Sequence, residues 1–301
     1  MEFTRLGPGI RPKMRDAMTE VRNYLFPPQG DVFYVSKRGA SGDGKSWTKS
    51  FLTITEGIAA LTDNDTLFIG PGNYDEAAPK ITLSTVKNVR IFGMGTGMQW
   101  GEGSTCWRNV TSAADLFDLT GCQGLEIAGI GFVVADAHDA INFVGLCYSV
   151  HIHDCCFTGD VGSGAIAERA IDPGSNGADT YIHDCKFVNF VTAGIVIQSP
   201  RSVITHNVFR VPDSGYGIYL GAATSEFIVI ADNYFLGGGT SDHGIYYTAW
   251  TLNNGLIINN RFAGFAKSVP DNVDNTESAF VWNYESDATG GGVAAIVPNP
   301  S

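Results

Sequence analysis

Carboxyl and imidazole side chains recur at matching positions in two similar stretches of this sequence. Residues 151–157 read HIHDCCF and residues 181–187 read YIHDCKF, so Asp154 and Asp184 are equivalent residues. If the stretches stack as neighbouring strands, the two carboxylates lie about 5 Å apart, a separation that suits a retaining glycosidase. Asp154 and Asp184 are therefore candidate catalytic residues. The favoured alternative is a solvated corner, because later stretches carry other polar residues at this position.

The same stretches contain a column of histidines. His153 and His183 are equivalent residues, and His151 lies on the same face of its strand as His153, two positions earlier. Together with the aspartates, these side chains could hold a transition metal. Solvent-facing polar stacking explains the histidines equally well, so the sequence predicts neither a metal ion nor another cofactor.

Both stretches belong to a longer repeat in which Phe follows Ile by five residues. Successive Phe residues are 22 to 30 residues apart, a period typical of stacked repeat architectures. Most are followed by a second short apolar run, such as GIVIQ or GIYLG, which indicates short strands separated by turns. The pairs are Ile127/Phe132, Ile152/Phe157, Ile182/Phe187, Ile204/Phe209, Ile230/Phe235 and Ile257/Phe262.

The period selects one way of stacking. A leucine-rich repeat needs leucines at fixed offsets and a propeller blade needs about 40 residues, whereas a coil of three short strands tolerates turns of different length. We therefore predict an all-β fold, a right-handed single-stranded parallel β-helix with Ile and Phe inside. The residue two before each Phe would lie in a bend, where Asn can stack, hydrogen-bond and adopt a left-handed backbone. These residues are Ile130, Cys155, Cys185, Asn207, Asn233 and Asn260.

The segment before the repeat predicts a cap. It reads as a strand VFYV, a glycine-rich loop, a helix with a Thr53/Glu56 capping box, and a second strand TLFIGPGNY. A short N-terminal capping helix here would cover the open end of the coil stack. Residues 39–46, GASGDGKS, match the phosphate-binding pattern G-x-x-x-x-G-K-[ST]. Because the helix signal begins only at Thr53, we interpret the match as a plain turn rather than a nucleotide site.

This entry segment and the later Ile-x-x-Asn-x-Phe coils resemble the pectate-lyase-like superfamily of right-handed β-helices, over roughly residues 31–285. The pattern is most similar to bacteriophage spike and tailspike-type proteins. The superfamily contains lyases, glycosidases, epimerases and virion spikes without catalysis, so the resemblance implies the fold and leaves the function open. Arg201, which follows Pro200, weakly resembles the arginines of pectate lyases and is a third candidate catalytic residue. The calcium-binding Asp cluster of those lyases is not recognisable, which argues against lyase activity.

A group of aromatic residues between positions 216 and 250 predicts a contact surface. Aromatic side chains stack on sugar rings and also form protein interfaces, and the sequence does not separate the two. The predicted glycan or protein contact residues are Tyr216, Tyr219, Tyr246, Tyr247 and Trp250.

Both ends of the chain differ from the repeat. Within residues 1–29, Met14, Met18, Val21 and Leu25 have the spacing of a short coiled-coil seam, before FPPQG ends the helix. We expect an N-terminal helical arm that acts as an anchor or oligomerisation segment, either folded over the first coil or in contact with copies of itself or a scaffold. Residues 30–285 form the β-helix, and residues 286–301 form a tail, either flexible or donated as a strand to a neighbour.

The composition limits the partners. The 301 residues carry a formal net charge of −12, which argues against nucleic acid or an anionic membrane as the main partner. The sequence contains no run of 18 apolar residues, and its N-terminus lacks the apolar region of a signal peptide. The six Cys residues lie in apolar stretches, which predicts reduced and buried thiols.

These features favour a structural or attachment protein of a virus particle, such as a phage spike, fibre or capsid decoration, made in the host cytoplasm and carried on the virion. The resemblance to phage spikes implies a homotrimer. Residues 1–29 would contact other virion proteins, and the aromatic surface could bind host-surface polysaccharide. The alternative is a polysaccharide lyase or glycoside hydrolase, such as a tailspike depolymerase, and a sugar-binding module without turnover is a third interpretation. Because no catalytic set is legible, the sequence favours a protein that is not an enzyme.

Overall fold

The computed structural model describes residues 30–39, 41–76, 80–95, 104–109, 114–134, 138–159, 167–221, 226–241, 243–247, 254–265, 279–281, 283–286 and 293–296. The predicted arm, with Met14, Met18, Val21 and Leu25, lies outside these residues, and so does Trp250.

The described residues form short strands, one α-helix, and a single 3-10 turn at Trp47–Lys49. The helix, α1, spans Ile54–Ala59. The first strands are β1 (Val32–Val35), β2 (Thr66–Ile69), β3 (Gly72–Asp75), β4 (Ile81–Ser84), β5 (Arg90–Gly93), β6 (Thr105–Asn109), β7 (Phe117–Thr120), β8 (Glu126–Ala128), β9 (Gly131–Val134), β10 (Asp139–Phe143), β11 (Cys147–Tyr148), β12 (His151–His153), β13 (Cys156–Gly159), β14 (Ala167–Gly174) and β15 (Gly177–Ala178). The later strands are β16 (Tyr181–His183), β17 (Lys186–Val188), β18 (Phe190–Ile197), β19 (Val203–Thr205), β20 (Val208–Arg210), β21 (Tyr216–Leu220), β22 (Val229–Ala231), β23 (Tyr234–Ser241), β24 (His243–Tyr247), β25 (Leu256–Ile258), β26 (Arg261–Phe265), β27 (Ala279–Val281), β28 (Asn283–Ser286) and β29 (Val293–Ile296).

The strands stack into three long sheets, which the chain visits in turn. Sheet A has the order β1-β2-β5-β8-β12-β16-β19-β22-β25-β27, sheet B the order β3-β6-β9-β13-β17-β20-β23-β26-β28-β29, and sheet C the order β4-β7-β10-β14-β18-β21-β24. Equivalent residues pair in register between coils, as Ile152 does with Ile127 on one side and Ile182 on the other. The predicted all-β parallel β-helix is confirmed, and its right-handed sense stays a prediction.

A constant corner explains the five-residue interval between Ile and Phe. From β8 to β25, each strand of sheet A has three residues, and two residues separate it from the next strand of sheet B. The first of these two has a positive φ, between 50° and 69°, which tightens the turn. It is Gly129, Asp154, Asp184, His206, Asp232 or Asn259. The prediction that Asn207 and its equivalents adopt the left-handed backbone is therefore wrong, because the residue before each of them does.

The predicted Phe residues form one internal file. Rings from Phe132 to Phe262 stack at centroid distances of 4.7 to 5.1 Å with interplanar angles of 2° to 9°. All of them are buried, beside an equally buried column of Ile side chains in sheet A. Trp107 continues the file toward the N-terminal coils, 5.7 Å from Phe132.

The predicted Asn stack is a buried hydrogen-bonded ladder. Asn207 Nδ2 donates to Ile182 O at 3.0 Å and to Asn233 Oδ1 at 3.0 Å, and Asn233 Oδ1 also accepts from the Asn207 backbone N at 2.9 Å. The same bonds repeat at Asn260, and Asn283 extends the ladder by a coil that the five-residue pattern did not include. Cys155 and Cys185 are buried at the equivalent positions of the earlier coils. The ladder satisfies backbone groups at a bend that water does not reach.

The helix α1 packs on the first coils, as predicted. Thr53 and Glu56 form the capping box, and the buried Ile54 and Ile58 face the core. Gly57 approaches Val35 so closely that a Cβ at this position would lie 2.6 Å from its side chain. No α-helix begins at Ser46, which instead caps the 3-10 turn, in keeping with a plain turn at GASGDGKS.

Part of the predicted tail forms the last described strand, and the two predictions for the tail stay open. Residues 293–296 form β29, which folds back antiparallel on β28 and extends sheet B within the same chain. All six Cys residues are free and buried, as predicted. Among the described residues, no helix is long and apolar enough to span a membrane.

Candidate functional site

The three candidate catalytic residues do not come together. Asp154 and Asp184 lie in the exposed corner after sheet A, and each accepts a hydrogen bond from the preceding histidine, at 2.8 and 2.6 Å. Arg201 lies at the opposite end of the sheet A strands, before β19, where it contacts Asp179 through Nε at 2.6 Å and Nη2 at 3.1 Å. A strand and its corners separate Arg201 from the aspartate column by roughly 15 Å. This arrangement favours the solvated-corner interpretation.

The predicted aromatic surface is partly assembled. Tyr216 and Tyr219 on β21 and Tyr246 on β24 lie together on the outside of sheet C, where His243 joins them. Tyr247 is the last residue of β24 and pairs with Leu220, and its side chain is not among those described. Tyr234, by contrast, belongs to sheet B and is 40% exposed there.

Sheet C has an unusual alternation that determines which side chains face out. In β10 and β14 two successive residues, Ala140/Ile141 and Ala170/Ile171, both belong to the core, so the flanking residues point outward. In β21 and β24 the first core position is Gly217 or Gly244, where a Cβ would lie 2.5 Å from the ring of Phe235 or Phe262. A small residue is therefore needed because the internal Phe file fills the space.

The result is a recurring pattern, outward residue, Ala or Gly, Ile, outward residue. The outward pairs are Asp139/Asn142, Arg169/Asp172, Ala193/Val196, Tyr216/Tyr219 and His243/Tyr246, in spatial order along sheet C. We call this row the sheet C face. The pattern x-[Ala/Gly]-Ile-x is visible in the sequence, and it is the signal that would have identified the charged residues of this face.

The aromatic half of the sheet C face is a packed cluster of half-buried rings. Tyr216 and Tyr246 stack at 4.3 Å with an interplanar angle of 7°. Tyr219 lies 5.8 Å from each of them, and His243 lies 5.1 Å from Tyr246. On the other side of β21, the outward neighbours of the tyrosines are Ala193 and Val196. The rings therefore border Ala193 and Val196, which are both buried, and the charged half begins beyond them.

The charged half centres on Arg169. Its guanidinium group hydrogen-bonds Glu168 and Asp172, and its Nη1 lies 3.8 Å from Asp139 Oδ2. Asp172 Oδ1 also accepts from the Gly174 backbone N at 2.9 Å.

Further carboxylates border this group on the next strands. Asp115 accepts from Asp139 N and Asn142 Nδ2, both at 3.0 Å. The buried Asp118 of β7 pairs with Lys80, which precedes β4, at 2.7 Å. Carboxylates thus outnumber cations on this half of the face.

Asp139 is the most perturbed of these acids. It is 6% exposed, and its Oδ1 atom has no hydrogen-bond partner among the described residues. Burial raises the pKa of Asp139 to about 7, against the opposing effect of Arg169. A carboxyl group that keeps its proton near neutral pH can act as a general acid. The neighbouring Asp172 carboxylate is held by a hydrogen bond from Arg169. The sheet C face therefore carries a potential proton donor, Asp139, next to a carboxylate that is paired with a cation.

Comparisons with known proteins agree with the fold. No protein-family model matches the chain, and no curated protein does. Among solved structures, pectate lyase Pel9A is similar with a TM-score of 0.61 and 12% identity, over 86% of this chain and 77% of its own. The GH136 lacto-N-biosidase from Eubacterium ramulus has a TM-score of 0.62 and 11% identity, over 90% of this chain and 58% of its own.

The tailspike of E. coli bacteriophage HK620, in complex with a pentasaccharide, is matched with a TM-score of 0.48 and 11% identity, over 75% of this chain and 48% of its own. At identities of 12% or less, the similarity to the lyase and the biosidase shows the fold alone. The chain therefore has the parallel β-helix fold that the sequence predicted, and it shares this fold with pectate lyase Pel9A.

Proposed function

We propose that this protein is an attachment protein of a virus particle that binds host-surface glycans on the sheet C face. The observation that carries the proposal is the cluster of Tyr216, Tyr219 and Tyr246, whose half-buried rings pack together on the outside of a rigid coil stack. Tyrosine presents both an apolar ring and a hydroxyl group, the combination that sugar recognition uses. Because the interior fixes the backbone beneath them, the rings need little ordering when a ligand binds.

The charge of the same face indicates the kind of glycan. Around Arg169 and Lys80 lie five carboxyl groups, those of Asp115, Asp118, Asp139, Glu168 and Asp172. A polymer rich in uronic acids would be repelled by this excess of negative charge. A neutral oligosaccharide, which can donate hydroxyl hydrogen bonds to carboxylates, fits better.

Three parts of the proposal, namely the virus particle, the homotrimer and the N-terminal arm, are supported by the sequence. The spike-like repeat and the coiled-coil spacing of residues 1–29 support a homotrimer that is carried on other virion proteins by this segment. Light scattering of the full chain should give three times the subunit mass of 32.2 kDa. Replacing Met18 and Leu25 by Asp should release monomers with an unchanged circular dichroism spectrum. A full chain that stays monomeric at all concentrations would count against this part of the proposal.

Glycan binding is tested by a panel of neutral and acidic bacterial surface oligosaccharides, followed by calorimetry on the best ligand. Tyr246→Ala should weaken binding about tenfold or more, whereas Tyr246→Phe should keep most of it, because the ring is the contact. Tyr234→Ala is the matched control, since this exposed tyrosine lies on sheet B. Equal losses in Tyr246→Ala and Tyr234→Ala, or no ligand in the panel, would contradict the proposal.

Asp139 favours a second candidate function, hydrolysis of the bound glycan. A buried acid with a pKa near 7 beside a fixed carboxylate has the properties of the paired acids of glycosidases. Incubation with the bound oligosaccharide should then release reducing ends, and Asp139→Asn should abolish the release while binding is kept. Binding without product in the unsubstituted protein would leave attachment as the function and exclude hydrolysis of that ligand.

A further inference from the structure

A cluster of imidazole and carboxyl groups lies on the outside of sheet A, away from the sheet C face. It consists of Glu126 on β8, His151 and His153 on β12, and His183 on β16. We call it the His–Glu cluster. Its members come from three successive coils. The side chains of Glu126, His151 and His153 are half-buried. Such side chains are held in place and can still be reached from solvent.

The donor atoms of the His–Glu cluster converge. One ligand atom each from Glu126, His151 and His153 lie within 4.8 Å of one another. His183 Nε2 lies 2.6 Å from His151 Nε2, and its ring stacks on that of His153 at 5.0 Å and 2°. Metal ligands at about 2.0 to 2.2 Å from an ion are roughly 3.3 Å from one another, so side-chain rotations of about 1 Å would complete a site.

The hydrogen bonds of the cluster determine where the imidazole lone pairs are. His153 Nδ1 lies 2.8 Å from Asp154 Oδ2, and His183 Nδ1 lies 2.6 Å from Asp184 Oδ2. A carboxylate only accepts, so Nδ1 carries the proton in both rings and each neutral ring has its lone pair on Nε2. This is the outer arrangement of metal-bound histidines, in which a carboxylate orients the ring and raises its basicity.

The lone pair of His153 then faces another acceptor. His153 Nε2 lies 3.1 Å from Glu126 Oε1, a contact between two acceptors unless a proton or a cation lies between them. His151 Nε2 lies 2.6 Å from His183 Nε2, so a proton lies between these two nitrogens until an ion replaces it. The geometry therefore calls for a proton or a cation between His153 and Glu126.

The surrounding charges can tolerate a divalent ion. Arg90 Nε lies 3.3 Å from Glu126 Oε2 and opposes a second cation. The carboxylates that lie in or next to the cluster outnumber this one cation. They are Glu126, Asp154 and Asp184. Imidazole nitrogen with one carboxylate oxygen is a ligand set that suits zinc, cobalt, nickel or copper rather than calcium or magnesium.

We propose that Glu126, His151 and His153 bind one divalent transition-metal ion, with His183 as a fourth ligand and Asp154 and Asp184 as the carboxylates that orient the rings. The ion links β8, β12 and β16, and so ties three successive coils together on the outside of sheet A. The site is independent of the glycan surface, because it lies on a different sheet.

The alternative is a doubly protonated His153. Partial burial lowers the pKa of His153, but hydrogen bonds to Asp154 and Glu126 outweigh this effect and raise the pKa above its usual value. An imidazolium ring between two carboxylates would satisfy the same contacts without a metal ion. The two explanations differ in whether the purified protein binds added metal.

The experiment is a titration of the full chain, first stripped with a chelator, with Zn²⁺ in a calorimeter and with Co²⁺ in a spectrometer. One equivalent per chain should bind, and the Co²⁺ complex should show visible bands of a nitrogen and oxygen site. His153→Gln and His151→Gln should weaken Zn²⁺ binding more than about 100-fold, and Asp154→Asn about tenfold. His138→Gln, on sheet C, is the matched control and should bind like the unsubstituted protein.

Three outcomes would overturn the proposal. These are no binding by the unsubstituted protein, binding that survives both histidine substitutions, and a Co²⁺ spectrum dominated by thiolate charge-transfer bands, which would place the ion on the buried Cys residues. Circular dichroism of each variant excludes misfolding as the cause of a loss. If His153→Gln fails to fold, Glu126→Gln takes its place, and it should also weaken binding more than about tenfold.

Discussion

The interior of the coil stack and the sheet C face are built on the same backbone but follow different rules. Inside, a column repeats one residue type over several coils, as in the Phe file and the Asn ladder, because each coil must fill the same space as its neighbour. On the sheet C face, one column runs Asp139, Arg169, Ala193, Tyr216 and His243, with no repetition. Packing constrains the inside, so the variation outside is where a ligand can be recognised.

The largest effect that would test this comparison is the removal of one ring from the Phe file. Phe209 stacks between Phe187 and Phe235, at 4.7 Å from each. Phe209→Ala should lower the free energy of unfolding by about 3 to 5 kcal/mol, because a cavity remains in a closed file. Urea titration followed by tryptophan fluorescence measures it. Phe227→Ala, at a residue 53% exposed, is the control, and an equal loss there would break the distinction between inside and outside.

A smaller loss is expected at the Asn ladder. Asn233→Ala removes the partners of the buried Asn207 backbone N and Ile204 O. We expect a loss of about 2 to 4 kcal/mol in the free energy of unfolding, since each unsatisfied group costs about 1 to 3 kcal/mol. Asn259→Ala, in the exposed corner nearby, should cost only about 1 kcal/mol because of its positive φ. Thermal and urea unfolding of both variants would show the contrast, and similar losses would contradict it.

On the sheet C face, the expected effect is one of pH. The folded protein holds the Asp139 proton up to a pKa of about 7, whereas the unfolded chain releases it near 4. The contribution to stability is therefore complete below about pH 4 and is lost as the pH rises through about 7. Between about pH 4 and pH 7, the free energy of unfolding of the unsubstituted protein should fall by about 2 kcal/mol relative to that of Asp139→Asn. Such a pKa shift represents roughly 4 kcal/mol, and rearrangement around Arg169 offsets part of it. Parallel pH profiles of the two proteins would contradict the assignment.

The smallest effect is expected at Arg201. The guanidinium group of this exposed corner residue hydrogen-bonds the exposed Asp179 carboxylate, while its backbone N donates to Glu226 O, a bond that a side-chain substitution keeps. Surface ion pairs contribute little to stability. Arg201→Asn, which keeps the positive φ acceptable, should change neither the melting temperature nor oligosaccharide binding. A clear loss of binding would restore Arg201 as a site residue and would place the glycan on sheet A.

The core could be predicted from the sequence because its residue types recur from coil to coil. Ile and Phe at a fixed interval were enough to predict the strands, the internal file and the Asn ladder, since the two-residue corner holds that interval constant. The sequence also placed Asp154 and Asp184 in one column. It could not show that each carboxylate turns back to its own histidine, because equivalence between coils fixes the position of a residue and not its hydrogen-bond partner.

The charged half of the sheet C face was missed for a related reason. Simple alternation along a strand does not predict two successive inward residues, the first of which is Gly in β21 and β24, where a Cβ would meet a Phe ring. Asp139 and Arg169 therefore did not stand out as outward neighbours. Tyr216, Tyr219 and Tyr246 were predicted because aromatic residues are noticeable wherever they occur, and the structure then separates Tyr234 from them.

The contrast between constant and variable connections bears on how this scaffold can be re-engineered. Between sheets B and C, the connections after β17 and β20 have one and five residues, and between sheets C and A, those after β18 and β21 have five and eight. Both variable edges border sheet C, so new loops could be grafted there to alter ligand choice without moving a single coil. From β8 to β25, where two residues join sheets A and B, an insertion would shift the Asn ladder out of step, so peptide libraries should not be built at these corners.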